Sequence, residues 1–360
     1  MRHRKASVGI IGGAMAGLAA AHYLSTVDKV GHICVFERQS YEEKRVNCGE
    51  AINDASLIPL DKVPSNGFLN DIEGFELRVH TDTDRSLDES PLSQPLLSCD
   101  NGYICNRATV EQRWAQELVD SGVSFETNYT VDKAEYWDIV NNYDYVIDAT
   151  GNPSLSHRAR GSVEAYTGDM VALNASVEGD FADYVDWPRI FFEGYVGYAW
   201  AFPKSSTLAN VGIGWAGDQR PGNYYDALVS AAERNDFPIP SRDAVNIYTI
   251  PGGPSLAPSD IAFDNNVFLV GDAAGIANRY QGEGICQGIR SAYILGSMIE
   301  EGNSRKYPQR LYSHMRSEYR LAHLMRGAWI EHKDPQLLAD IARALDGLSI
   351  DAITRQPRQV

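Results

Sequence analysis

Basic residues are scarce. Against 48 aspartates and glutamates stand 32 lysines and arginines, a formal net charge of −16 over 360 residues. Nucleic-acid binding needs a basic footprint, so no nucleic-acid partner is expected. The acid excess is spread along the chain, as in an acidic cytosolic protein or one adapted to salt. Long apolar runs are also missing. Nothing approaches ~18 uninterrupted apolar residues, so no membrane-spanning helix is expected. The five cysteines (Cys34, Cys48, Cys99, Cys105, Cys286) are odd in number and form no C-x-x-C pair. That argues against a disulfide framework and for a reducing, cytoplasmic setting. The eight histidines show no H-E-x-x-H or similar spacing, and no metal site is expected. Internal repeats and low-complexity tracts are absent.

What is present reads as globular: 44% hydrophobic and 10% aromatic residues. The length favours two closely packed domains over one core. The opening "MRHRKASVGIIGG" starts basic, but its apolar run leads directly into a glycine turn, which reads as a first strand and not a signal peptide.

Two segments compete as dinucleotide fingerprints. "GIGWAG" (212–217) satisfies G-x-G-x-x-G, whereas "GGAMAG" (12–17) has Ala14 in place of the second glycine. Context decides between them. "SVGII" (7–11) is a β-branched run, "GLAAAHYL" (17–24) is helix-prone, and "HICVFER" (32–38) is a second strand ending in Glu37. This is a βαβ unit: Gly12 permits the turn, position 14 faces a pyrophosphate, and Gly17 allows close helix–strand packing. The helix N-terminus, with Met15 and Ala16, offers free N–H groups to phosphate, and Glu37 suits ribose hydroxyls. "GIGWAG" lies at the end of a strand-like stretch, "TLANVGIGW", and is followed by "DQRPGN", which carries turn signals and no helix. It is expected to be strand and turn.

A lone βαβ unit does not separate NAD from FAD. The segment "NNVFLVGDAAGIANRYQGEGICQGIRSAYILGSMI" (265–299) does. It reads as a strand ending in Gly271-Asp272, then a loop, then a long helix opening at Gly282–Gly284 and Ile285. Asp272 can hold a polyol hydroxyl, and the helix dipole suits the N1/C2=O edge of a reduced flavin. "YDYVIDATGNPS" (143–154) places Ala149 and Gly151 where a backbone can pass the adenine half. Arg107 opens a helix from which it can reach phosphate or ribose.

Together, "GGAMAG…FER", Arg107, "DATG" and "VGDAAG…GEGI" resemble the flavoprotein group that includes aromatic hydroxylases, flavin-dependent halogenases and geranylgeranyl reductases. "NCGEAI" (47–52) and "YAWAFPK" (198–204), followed by "NVGIG", resemble the geranylgeranyl reductase family in particular. The resemblance spans roughly residues 7–300. It implies an FAD-dependent enzyme that saturates carbon–carbon double bonds of an isoprenoid lipid or other hydrophobic substrate. Gly12, Gly17, Glu37, Arg38, Arg107, Gly271, Asp272, Gly282 and Gly284 would contact FAD. Cys48, Gly49 and Glu50 would lie beside the flavin ring, and Tyr198, Trp200 and Phe202 would line the substrate tunnel. The sequence departs from the family pattern at Ala14, at Arg279-Tyr280 and in a C-terminal part that reads as two helices, 310–329 and 334–350. Electrons would come from NAD(P)H or a ferredoxin. A lipid substrate leaves peripheral membrane association open, and the oligomeric state is not specified.

The residues alone support part of this. Tyr198, Trp200 and Phe202 alternate with Ala199 and Ala201, which at strand period puts three aromatics on one face. Such a face suits either an apolar cavity or packing against helices. Cys48 sits in a polar glycine loop, where a thiol can donate a proton after hydride transfer; Glu50 can tune it or act in its place. Cys286 reads as packing. The alternative function is a flavin-dependent monooxygenase or halogenase of an aromatic substrate, with Lys204 the nearest catalytic lysine; a redox sensor without turnover is a third class.

The expected architecture is α/β: a Rossmann-like FAD-binding domain (1–75, 100–155 and 255–300), an inserted, mostly antiparallel β-sheet substrate domain (76–99 and 156–254), and C-terminal helices (301–360).

Overall fold

Around "GGAMAG" the chain forms the expected strand, turn and helix. In this computed structural model, residues 4–80, 90–162, 170–193, 195, 197–216, 221–251, 258–278, 281–332 and 334–350 are described. Strand β1 (Ala6–Ile11) is followed by helix α1 (Met15–Ser25) and strand β2 (Val30–Phe36). β1 pairs in parallel with β2 on one side and with β7 (Tyr145–Asp148) on the other, Ile10 lying opposite Val35 and Ile147. The sheet is completed by β6 (Ser124–Glu126) beside β2, and by β14 (Val267–Leu269) and β13 (Ala262–Phe263) beyond β7. All pairs are parallel except β13–β14. Continuous apolar strands such as Val8–Ile11 are what a parallel sheet buried on both faces requires.

Glycine is needed at two points of this unit. Gly12 has φ +102°, and a Cβ there would lie 2.4 Å from the Ala149 carbonyl oxygen. A Cβ on Gly17 would lie 1.9 Å from the Gly12 carbonyl oxygen. Ala14, by contrast, is the helix N-cap at φ −93°, ψ −173°, extended backbone open to any residue. The departure from the fingerprint therefore costs no backbone strain.

The second sheet has eight strands in the order β12-β8-β11-β10-β9-β4-β5-β3. These are β3 (Ala51–Ile52), β4 (Phe68–Val79), β5 (Leu96–Cys105), β8 (Met170–Glu178), β9 (Arg189–Phe192), β10 (Gly197–Ser205), β11 (Leu208–Ala216) and β12 (Asn246–Ile250). Only the β4–β9 pair is parallel. The long strand β4 runs across the boundary expected at 75/76. "GIGWA" is the end of β11, and the next helix, α5 (Tyr224–Asn235), begins only after the Pro221-Gly222 turn. Gly217, Arg279 and Tyr280 lie outside the described residues.

Helix α2 (Arg107–Asp120) starts at an Asn106 N-cap, whose side chain accepts the Thr109 N–H at 3.2 Å. α3 (Lys133–Asn142) begins with an Asp132/Glu135 capping box, and α4 (Leu155–Arg160) and α6 (Pro258–Ile261) are short. α7 (Ile285–Glu300) packs on α1, with Ala16 close to Gly271 and Gly288. The C-terminal helices divide between two cores. From α8 (Tyr307–His332), Tyr307, Leu311 and Met315 join the core around the parallel sheet. From α9 (Pro335–Ala344), Leu338, Ala339 and Ala342 pack on the second sheet. No helix among the described residues is long and apolar enough to cross a membrane.

Because the Gly17 Cα packs directly on backbone, Gly17→Ala overfills a contact that cannot give. It is expected to cost ~1–3 kcal/mol, measured by urea denaturation. Unchanged stability would mean that the α1–β1 contact is looser than described.

Candidate active site

Period two along β10 sorts its residues between two cores. Ala199 and Ala201 face α5, where Leu228, Ala231 and Ala232 are buried. Tyr198, Trp200 and Phe202 face the other way. The strand beside them explains "GIGWAG". Trp200 lies opposite Gly212, and Tyr198 opposite Gly214. A Cβ on Gly212 would lie 2.1 Å from the Trp200 ring, so the glycine is the floor on which the indole rests. Trp200 stacks on Phe202 at 6.0 Å between ring centres, and its Nε1 donates to the Asn210 Oδ1 at 3.0 Å.

This aromatic face is one wall of a largely apolar cavity of about 230 Å³. Phe75, Leu77 and Phe192 extend the wall, and Leu338 and Ile341 of α9 close it from the other side. At one end stand Cys48, Gly49 and Glu50; Gly282, Glu283, Gly284 and Ile285 stand there as well, at the start of α7. The structure therefore brings together three sequence motifs: "NCGEAI", "YAWAFPK" and "GEGI".

The Cys48–Glu50 segment has no regular structure of its own, and Glu50 adopts φ +65°. Its neighbours hold it there. The Glu50 carbonyl accepts the Cys105 N–H at 2.9 Å. One oxygen of its carboxylate accepts the Arg107 N–H at 3.1 Å; the other accepts the Asn210 Nδ2 at 3.2 Å and is ion-paired with Lys204. The Cys48 carbonyl accepts Asn174 Nδ2 at 2.8 Å and Asn210 Nδ2 at 2.9 Å. Cys48 Sγ accepts the Glu50 N–H at 3.2 Å. Burial pushes the Cys48 thiol up, against the opposing pull of Arg107 beside it. Lys204, on which the halogenase alternative rests, is turned to Glu50 and Ser176 (3.3 Å) and is not part of the cavity wall.

The nucleotide half holds the remaining expected residues. Glu37 is buried, and its carboxylate already accepts the Gly13 N–H at 2.8 Å, the Gln39 N–H at 3.0 Å and Lys44 at 3.1 Å. Lys44 also pairs with Glu111 at 3.0 Å, and Glu111 with Arg107 at 2.8 Å. Burial alone would raise the Glu111 carboxyl; Arg107 and Lys44 hold it below its ordinary value. Arg38 is exposed at the end of β2. Gly151 (φ +85°) has open space around it, next to Ala149 on the rim of the glycine turn. Gly271 (φ +59°) and Asp272 form a tight turn after β14. No protein donor among the described residues reaches the Asp272 carboxylate, which burial raises above its ordinary value. Cys286 is buried in the core.

Five residues of this arrangement escape sequence reading: Lys44, Glu111, Asn174, Asn210 and Glu283. Burial and the nearby Glu318 raise the carboxyl of Glu283 to about 6. The asparagines did leave a signal. Each is a buried polar residue next to apolar or glycine positions on the same strand face, a position that demands a partner.

No family model matches the chain. Among curated proteins it is similar to the digeranylgeranylglycerophospholipid reductase of Methanothrix thermoacetophila, 24% identical over 315 residues, 81% of this chain and 76% of that protein. It is also 25% identical to digeranylgeranylglycerophospholipid reductase 1 of Methanosphaera stadtmanae over 328 residues, 84% and 78% of the two chains. A Methanospirillum hungatei protein of the same name is 34% identical over 114 residues, 27% of its length. Among solved structures, a geranylgeranyl bacteriochlorophyll reductase-like protein from Thermoplasma acidophilum superposes with a TM-score of 0.74 at 18% identity, covering 97% of this chain and 95% of the other. A flavin-dependent brominase follows the same fold with a TM-score of 0.67 at 14% identity, covering 95% and 93%.

A methyl group on Gly212 displaces the indole without touching the nucleotide half. Gly212→Ala is therefore expected to shift tryptophan fluorescence and weaken binding of an apolar ligand, with cofactor content unchanged. Loss of cofactor from the folded variant would contradict this assignment. The chain thus shares the fold of the geranylgeranyl bacteriochlorophyll reductase-like protein and is similar over most of its length to curated proteins named digeranylgeranylglycerophospholipid reductase.

Proposed function

We propose that the protein is an FAD-dependent oxidoreductase that reduces carbon–carbon double bonds of a hydrophobic, isoprenoid substrate. The observation that carries this reading is the meeting of an apolar cavity, the Cys48 thiol and an expected flavin-edge glycine turn at one place. Curated relatives over most of the chain's length are named as reductases of a digeranylgeranyl lipid, which fits such a cavity.

The residues present fit FAD. Met15, Ala16 and Gly17 begin a helix with no acidic residue in its first turn and no side-chain cap, leaving amides for a pyrophosphate. Arg107 and Lys44 add positive charge nearby. Glu37 retains lone pairs for ribose hydroxyls, and the unpartnered Asp272 suits a polyol. Gly282, Gly284 and Ile285 at the start of α7 suit the polar edge of the ring. When bound, the cofactor supplies hydride to one alkene carbon; the electrons reach it from NAD(P)H or a ferredoxin.

The chain's own part is binding, exclusion of water and supply of a proton. Tyr198, Trp200 and Phe202 hold the apolar chain along β10, and α9 covers it. The acid is Cys48. Its raised pKa keeps the proton on sulfur at neutral pH, as a donor to carbon requires. Glu50 supports it from the Lys204 pair, its two oxygens already accepting from fixed donors.

Purified protein should release FAD. After anaerobic reduction it should be reoxidised by a geranylgeranyl lipid. Cys48→Ser should slow reoxidation by at least about tenfold, a floor set below the ~10²–10⁴ typical of general acids because serine keeps a weaker acid in place. In the wild type the rate should hold through neutrality and fall only above the ordinary thiol pKa of roughly 8.5, because the acid form is active and burial raises its pKa. Wild-type rates in Cys48→Ser would assign the proton to another group. Indifference of the reduced protein to the lipid, with rapid oxygen uptake in the presence of an aromatic compound, would favour the monooxygenase.

A further inference from the structure

We propose that Asn174 and Asn210 are positioning residues for Cys48: by donating together to its peptide carbonyl, they fix the thiol at the end of the cavity, in register with the Trp200 wall. This rests on the reading of Cys48 as the proton donor.

The segment that carries Cys48 cannot set its own conformation. It belongs to no helix or strand, its one backbone bond to the sheet being the Cys105 N–H on the Glu50 carbonyl, and Glu50 sits in left-handed backbone that a non-glycine residue occupies only when its surroundings impose it. Asn174 on β8 and Asn210 on β11 lie on the same inward face, one row apart in the ladder, since Asn174 pairs with Gly212 and Asn210 with Ser176. Both amides converge on one oxygen, at 2.8 and 2.9 Å, filling its two lone-pair directions. Asn210 does more. Its Nδ2 also reaches the Glu50 carboxylate and its Oδ1 holds the Trp200 indole N–H. One amide thus links the loop carbonyl, the loop carboxylate and the cavity wall.

Packing alone does not call for these residues. Both are buried, at 4% and 1% exposure; the other positions on that face of β11 are apolar or glycine, and on β8 Asn174 is the buried polar residue ahead of the exposed Ser176 and Glu178. Burying an amide there is unfavourable unless its bonds are made, and an apolar residue of similar size would fill the same space. The neighbouring Gly212 carries no side chain into this space, leaving it to the Trp200 indole that Asn210 holds. The sheet that forms the substrate wall therefore also sets the distance from that wall to the thiol.

The test uses FAD-loaded protein carrying Asn174→Leu or Asn210→Leu, which keep side-chain size and remove the donor. The first readout needs no substrate. Alkylation of Cys48 by iodoacetamide, followed by peptide mass spectrometry with Cys99 as internal reference, should quicken about tenfold as the thiol is freed, the scale of one or two lost hydrogen bonds. The midpoint of its pH dependence should fall towards that of an ordinary thiol. The second readout is anaerobic reoxidation by the lipid, which should slow with FAD content unchanged and with half-saturation nearly constant. If wild-type protein fails to react with the lipid, the proposed activity falls while the alkylation result still decides the clamp. Should Asn210→Leu lose FAD through disturbance of Trp200, Asn174→Leu, whose amide donates to the Cys48 carbonyl and not to Glu50 or Trp200, decides. Wild-type alkylation rate and pH midpoint in Asn174→Leu would overturn the proposal.

Discussion

The Glu50 carboxylate stands where the two sheets meet, and the geometry of the site depends on it. From one side it accepts the first amide of α2, at the positive end of that helix; from the other it accepts Asn210 and the ammonium of Lys204 in the second sheet. Both members of the ion pair are largely buried, with side-chain exposures of 8% and 12%. Removing one partner from such a pair typically costs ~3–5 kcal/mol, because the other charge is left without compensation. The same interaction holds Glu50 in left-handed backbone and turns Cys48 to the end of the cavity. Lys204, on which the halogenase alternative rests, is thereby committed to holding the loop.

A second set of charges continues from this junction into the nucleotide half. Glu37, Lys44, Glu111 and Arg107 form an unbroken series of contacts of 2.8–3.1 Å. It runs from the end of β2 to the residue beside Cys48. Alternating signs let four largely buried ionisable groups share a low-dielectric region, each offsetting the desolvation of the next. The series links the expected ribose-binding carboxylate to the environment of the thiol, so the two ends of the proposed cofactor site are held by one network.

Much of this was legible in the sequence because it is local. The βαβ unit follows from "SVGIIGGAMAG" and "CVFER", since strand, turn and helix signals lie within one short stretch. The inward aromatic face follows from period two in "YAWAF". The same local reasoning set aside "GIGWAG" despite its perfect spacing, and the fold supplies the reason for its glycines: Gly212 is flat ground for Trp200. What could not be read were contacts set by long-range pairing. Asn174 and Asn210 meet Cys48 across separations of 126 and 162 residues. Periodicity assigns a face to each asparagine but not the loop that will sit opposite. Long-range pairing also governs the strand around the expected boundary at 75/76. β4 crosses it as one continuous strand, pairing with β5 from Phe68 to Glu76 and with β9 from Glu76 to Val79.

The central claim is that the reduced protein adds hydrogen across an alkene held in the cavity. Mass spectrometry of the lipid recovered after anaerobic turnover tests it most directly. A geranylgeranyl lipid incubated with reduced protein should gain two hydrogens for each double bond saturated, in proportion to the flavin reoxidised, and Cys48→Ser should yield less product per unit time. An unchanged lipid beside flavin that stays reduced until oxygen enters, with oxygen or halogen then appearing in an aromatic compound, would contradict the account.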